Sequence, residues 1–161
     1  MLRLNLGSGA ERYDGWSSLD TNKDFHPDYL ADCRKIPLDD NTVDEIFASH
    51  ILEHTTFKED ALAEWCRVLK TGGKITVCVP DLMQMLAHYR AGIIPLDNFY
   101  ASIYGNQITG DTRPGMEHFQ VFTVDMLVER MRTHFRDVKQ ASEGMPRPGY
   151  FGEAIAQGWK A

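Results

Sequence analysis

Cysteine is scarce in this sequence: three among 161 residues, at positions 33, 66 and 78. An odd number without paired spacing excludes a disulfide framework or a zinc knot as the organising element, and reduced thiols in a cytoplasmic chain are the expectation. Basic charge is short as well, with 17 Lys plus Arg against 23 Asp plus Glu and a formal net charge of -6. That balance argues against nucleic acid or an anionic membrane as a partner and suits small cationic ligands better. No apolar stretch approaches the ~18 residues of a membrane span. The first residues, Met1-Leu-Arg-Leu-Asn-Leu6, lack a basic segment followed by an apolar run, so neither export nor membrane insertion is expected. Repeats, linkers and low-complexity tracts are also missing. With 43% hydrophobic and 25% charged residues, residues 1–161 are read as a single globular domain.

What is present is a change of period along the chain. Leu2 to Leu6 alternates apolar with polar residues and runs into Gly7-Ser8-Gly9, the pattern of a strand entering a tight turn. Short strands are expected at 16–19, 29–33 and 45–50. Thr56-Phe-Lys-Glu59 has capping-box form, and Leu62, Trp65 and Leu69 recur at helical spacing until Thr71-Gly72-Gly73. A buried strand is expected at 74–79, an amphipathic helix at 82–91 and a helix from an N-cap at Thr123 to about 134. Strands are expected again at 137–141 and 151–159. Residues 92–120 show no clean period and read as a lid or binding loop. The alternation of strand and helix predicts an α/β sheet with a parallel core.

Ligands of such sheets bind beyond the carboxyl ends of the strands. Gly7-Ser8-Gly9 lets backbone amides approach a ligand there, although position 12 is Arg where a dinucleotide fingerprint places a third glycine. Asp20 closes the second strand, where a carboxylate accepts hydrogen bonds from the two hydroxyls of a ribose.

These residues fall into an ordered series: Leu4-Asn-Leu-Gly-Ser-Gly9, Gly15-Trp16 through Asp20, Ala31-Asp32 through Pro37, Val43-Asp44 through His50-Ile-Leu-Glu-His54, and Arg67-Val-Leu-Lys-Thr-Gly-Gly73 through Asp81. The series resembles the class I S-adenosylmethionine-dependent methyltransferases, in particular the small type 11-like group. The resemblance implies a Rossmann-like, mostly parallel sheet with an antiparallel last strand, and S-adenosyl-L-methionine as cofactor. It implies that Leu6, Gly7, Ser8 and Gly9 lie against the methionine part of the cofactor and that Asp20 binds its ribose. Asp32 and the Cys33 amide would face the adenine, with Ser49 and His50 bordering the sulfonium. Asp44 and Arg67 are expected to be structural.

The spacing departs from that family at two crossovers. Only six residues separate Gly9 from Trp16 and eight separate Asp20 from Tyr29, whereas parallel strands need a dozen or more. The first two crossover helices are therefore expected to be abridged, leaving part of one sheet face to be covered by the 92–120 segment or by a second subunit in a homodimer. The expected activity is methyl transfer to a small-molecule or saccharide acceptor. His118 and His50 are the expected catalytic groups, since neutral imidazole accepts a proton near neutral pH. Tyr104 and Arg113 are the expected substrate contacts. An S-adenosylmethionine-binding module without turnover is the alternative. His50-Ile-Leu-Glu53-His54 also has the form of a zinc hydrolase motif. Because His50 ends a strand-like run instead of sitting in a helix, no metal is expected.

Overall fold

Alternation in the first strand sets Leu4 and Leu6 on one face, where both are fully buried. The computed structural model describes residues 1–56, 60–105, 117–142 and 152–161. Its strands are β1 (Arg3–Leu6), β2 (Ser17–Asp20), β3 (Tyr29–Leu30), β4 (Val43–Ser49), β5 (Leu69–Pro80), β6 (Arg136–Gln140) and β7 (Glu153–Trp159). The helices are α1 (Ala61–Val68), α2 (Leu82–Arg90), α3 (Leu96–Tyr104) and α4 (Val124–Arg132), with 3-10 turns at Lys23–Phe25 and Leu52–His54. The strands form one sheet of order β3-β2-β1-β4-β5-β7-β6. Neighbours are parallel from β3 to β5, and β7 runs antiparallel to both β5 and β6. The mostly parallel sheet with an antiparallel last strand is thus the architecture expected. Among the described residues no helix is long and apolar enough to cross a membrane.

In register, Leu4 lies beside Ile46 and Ile46 beside Ile75, so one continuous apolar face crosses the sheet. Trp65 of α1 packs fully buried into that core and donates its indole N–H to the Cys33 carbonyl at 3.0 Å. On the other face, Asn5, Phe47 and Thr76 line up across β1, β4 and β5. The rings of Tyr13 and Trp16 stand edge-on to Phe47, with centroids 6.1 and 6.4 Å away. The connection between β1 and β2 therefore covers this part of the face itself, where the 92–120 segment or a second subunit was expected. That weakens the premise of the homodimer.

Among the described residues no α-helix precedes α1, so the three crossovers from β1 to β4 are abridged where two were expected. α1 begins at Ala61, capped by Asp60, and not at the expected Thr56 box, whose residues 57–59 lie outside the described set. Thr71-Gly72-Gly73 does not stop this helix. It lies inside β5, where Gly72 N–H donates to the Lys160 carbonyl at 3.0 Å and Lys160 N–H to Gly73 at 3.1 Å. The 92–120 segment contains α3, which its irregular pattern concealed.

Two expected structural residues behave as such. Asp44 accepts from the Leu2 amide at 2.6 Å and from Lys70 at 2.8 Å. Arg67 grips Glu64 through two 2.8 Å bonds and reaches the carbonyls of Ile36 and Leu38, closing the loop after β3 onto α1.

Candidate active site

From β1 the chain builds β2 and β3 to one side, then returns to lay β4 on the other. The switch falls at the carboxyl end of β1, where an α/β sheet opens a crevice. Gly7 turns the chain there with φ of 58°, and a Cβ built on it would lie 2.8 Å from Ile51 Cδ1. Only glycine leaves both the left-handed backbone and the room. The cleft beyond it encloses about 300 Å³. One wall is Gly7, Leu19, Asp20, Thr21, Ala31, Asp32, Cys33 and Arg34, and the other is Ile51, His54, Thr55, Glu117 and Phe119.

Asp20 Oδ2 accepts from the Gly9 amide at 2.8 Å, and Oδ1 from the Asn22 amide at 2.8 Å. Each carboxylate oxygen has two lone pairs, so each keeps one for a ligand hydroxyl. Asp32 is committed differently. Arg34 Nε lies 2.9 and 3.0 Å from its two oxygens, and its hydrogen bonds hold the carboxyl below the ordinary range despite burial. This carboxylate is neutralised within the protein, which removes the free acceptor expected for an adenine amino group. Cys33 borders the cleft as expected. Burial, with a smaller contribution from the Asp32 charge, pushes its thiol up to about 12. Leu6, Ser8, Gly9 and Ser49 are not among the cleft-lining residues, and Leu6, Ser8 and Ser49 are buried.

His50 does not line the cleft either. It leaves β4 with φ of 53°, donates from Nε2 to Glu153 Oε1 at 2.7 Å, and places Nδ1 3.3 Å from Glu53 Oε1. Burial pushes this ring's pKa down, but the bonds to Glu153 and Glu53 outweigh it and carry the value above normal. With both nitrogens facing carboxylates, His50 has no lone pair for a substrate proton, which corrects the catalytic expectation for it. The left-handed turn and the short 3-10 segment also prevent His50 and His54 from sharing a helical face, so the zinc hydrolase geometry is not formed.

His54 instead meets His118, with ring centroids 4.7 Å apart and planes at 75°. His54 Nδ1 lies 3.0 Å from the Glu117 carbonyl and His118 Nδ1 lies 3.1 Å from the Ser102 carbonyl. A carbonyl only accepts, so each Nδ1 carries a proton, and a lone pair, where the ring has one, lies on Nε2. Burial holds His118 below the usual histidine range against the pull of the Glu53 charge. Glu53, 1% exposed, completes the group: its carboxylate and the two rings have ligand-type atoms all within 4.8 Å of one another. Burial raises Glu53, but the His50 hydrogen bond and charge prevail, so the group lies below its ordinary value.

Tyr104 ends α3, 47% exposed and packed against the Tyr100 ring at 6.4 Å, and is not among the cleft-lining residues. Arg113 lies outside the described residues. Sequence reasoning missed Thr21, Arg34, Thr55, Glu117 and Phe119. Arg34 follows the singled-out Asp32-Cys33 pair and Glu117-Phe119 flank His118, so each was one residue from a signal.

Residues 15–77 match the methyltransferase domain family of type 11. The chain is 30% identical over 122 residues, 65% of its length, to the ubiquinone/menaquinone biosynthesis C-methyltransferase UbiE of Ectopseudomonas mendocina, covering 45% of that protein. It is 47% identical over 51 residues, 32% of its length, to the Chromobacterium violaceum protein of the same name, covering 21% of it. The chain thus spans less than half the length of these curated relatives. In fold it is similar to an S-adenosylmethionine-dependent methyltransferase of Thermotoga maritima, with TM-score 0.65, 18% identity, and 99% of this chain matched to 81% of that one. An Archaeoglobus fulgidus methyltransferase gives TM-score 0.64 and 15% identity, with coverage of 99% and 86%. The saccharide expectation finds no support among these relatives, which are named for quinone biosynthesis.

Proposed function

The chain belongs to the class I S-adenosylmethionine-dependent methyltransferases, and from that premise we propose that it methylates a small hydroxylated aromatic acceptor held against the Ile51–Phe119 wall of the cleft. The observation that carries this reading is the convergence of Gly7, Asp20 and Cys33 on one cleft at the switch point of the sheet. The residues fit the cofactor. Gly7 leaves the space a side chain would fill, and Asp20 keeps two acceptor positions for vicinal hydroxyls. The Cys33 amide, and not the paired Asp32 carboxylate, is assigned to the adenine edge. When bound, S-adenosylmethionine supplies a methyl group already activated by a sulfonium.

The chain's own task is to orient the acceptor and take up its proton. Phe119 and Ile51 offer apolar surface to a planar ring, and the quinone-related names of the relatives support that choice of acceptor. His118 is not itself among the cleft-lining residues but stands against the lining ring of His54, and its Nδ1 bond to Ser102 leaves a lone pair on Nε2. A phenolic O–H that donates to this nitrogen gains nucleophilic character at oxygen and at the ring carbons conjugated with it.

Calorimetric titration with S-adenosylmethionine and S-adenosylhomocysteine tests the cofactor step, and mass spectrometry of quinol-type acceptors tests transfer. Binding of both ligands and one 14-dalton addition to the acceptor are expected. No binding at millimolar cofactor would refute the proposal. Binding without transfer to any acceptor would favour the module without turnover, which the abridged crossovers also suit.

A further inference from the structure

Glu53 poses a problem that the proton-transfer role does not absorb. Its carboxylate is 1% exposed; Oε1 has only the long contact with the His50 ring, at 3.3 Å, and Oε2 receives no hydrogen bond among the described residues. An ionised carboxylate so placed is costly unless further charge or coordination compensates it. Directly beside it stand two imidazoles whose Nδ1 hydrogens are tied to the carbonyls of Glu117 and Ser102. Metal-ligating histidines are held in this way, with one ring nitrogen fixed to a backbone carbonyl and the other left basic.

We propose that Glu53, His54 and His118 form a binding site for one divalent transition-metal ion at the acceptor wall of the cleft. Their ligand atoms lie within 4.8 Å of one another. Bonds of about 2.0–2.2 Å to nitrogen and oxygen require these atoms to close somewhat around an ion, which side-chain rotation at the partly exposed histidines allows. Two imidazoles and one carboxylate select zinc, iron(II), cobalt or nickel over magnesium and calcium, which take oxygen ligands. The three ligands leave coordination positions open, and His54 borders the cleft, so the ion would lie beside the place proposed for the acceptor. With the ion bound, the His118 Nε2 lone pair is coordinated, and the ion replaces that nitrogen as the group that eases loss of the acceptor's proton; this role rests on the proposed methyl transfer, whereas the binding itself does not.

The full chain, stripped with a chelator, is titrated with cobalt(II) and zinc(II) and followed by calorimetry, elemental analysis and cobalt absorption. One ion per chain is expected, with affinity lowered about 100-fold in His118→Ala and in Glu53→Gln, each variant first shown folded by circular dichroism. Proton NMR of the cobalt(II) protein gives a readout without mutation, because two exchangeable imidazole N–H signals should be shifted by the paramagnetic ion. Absence of stoichiometric binding, unchanged affinity in His118→Ala, or no shifted imidazole signals would each overturn the site. Loss of the ion in His50→Gln with retention in His118→Ala would do the same, because it would move the ligands to the His50-to-His54 motif. Cofactor titration of the stripped protein separates the two proposals: metal binding without cofactor binding removes the methyl-transfer reading alone, and the reverse removes the metal site alone.

Discussion

At Gly7 the absence of a Cβ spares both the backbone and the neighbouring Ile51 side chain. The residue combines φ of 58° with a would-be Cβ 2.8 Å from Ile51 Cδ1. Gly7→Ala is therefore expected to lower stability by about 1–2 kcal/mol through the left-handed backbone, measured by urea unfolding. It should also weaken cofactor binding as Ile51 is pushed into the crevice; unchanged calorimetric affinity would count against this placement of the turn. Cys33 gives a second test. Its thiol is pushed up to about 12 by burial, so almost none of it is the thiolate that reacts. Iodoacetamide at pH 8 should modify Cys33 far more slowly than a free cysteine, as read by peptide mass spectrometry, and rapid labelling would refute the buried placement. Asp20 was legible because a strand-end carboxylate announces itself by position. Arg34 was not, because nothing in a sequence tells that an arginine two residues on will fold back and neutralise Asp32.

The elements show where local signals give way to tertiary ones. Thr123 was readable as an N-cap, and its hydroxyl does accept from Met126 N–H, at 3.3 Å. α1 was misplaced at its start because Asp60 caps it while also receiving His134 at 2.7 Å and Arg130 at 3.3 Å, partners far away in sequence. The end of α1 carries a pH-dependent contact. Hydrogen bonds from Arg67 hold Glu64 below its ordinary value, with the Ile36 amide adding a 2.7 Å bond. A carboxyl depressed in the folded state stabilises fully above its unfolded pKa of about 4.3, and the contribution fades as pH falls through the folded value. Glu64→Gln should therefore melt lower than the parent chain at pH 6, and the gap should shrink steadily below about pH 4.3. A gap independent of pH would show that the charge of Glu64 is not what counts. Asp81, 4% exposed, caps α2 through Met83 N–H at 2.8 Å and Gln84 N–H at 3.2 Å. Asp81→Ala should cost at least ~1 kcal/mol by the same unfolding measurement.

At the scale of the whole molecule, the mostly parallel sheet with an antiparallel last strand was legible through the family resemblance of the motif series, and two of the abridged crossovers through their spacing; the strand order was not, because pairing between distant strands leaves no local signal. The cleft's second wall was not legible either. It unites Ile51 to Thr55 with Glu117 and Phe119, and the backbone bond joining them, Phe119 N–H to the Glu53 carbonyl at 2.8 Å, spans the whole middle of the chain. A fold with three abridged crossovers holds this cleft with few helices around it, so ligand binding should stabilise the molecule measurably. For one site that binds only the folded state, a hundredfold excess of ligand over Kd contributes about 2.7 kcal/mol. At about 2–4 °C per kcal/mol for a domain of this size, the midpoint should rise by about 5–10 °C with saturating S-adenosylhomocysteine. Asp20→Asn keeps the shape of the side chain but gives up one acceptor oxygen and the charge, leaving either the Gly9 or the Asn22 amide facing a donor, so it should melt below the parent chain without ligand and lose most of the upward shift with it. A full shift in that variant would remove Asp20 from the cofactor site, and no shift in the parent chain at millimolar ligand would remove the cofactor from this cleft.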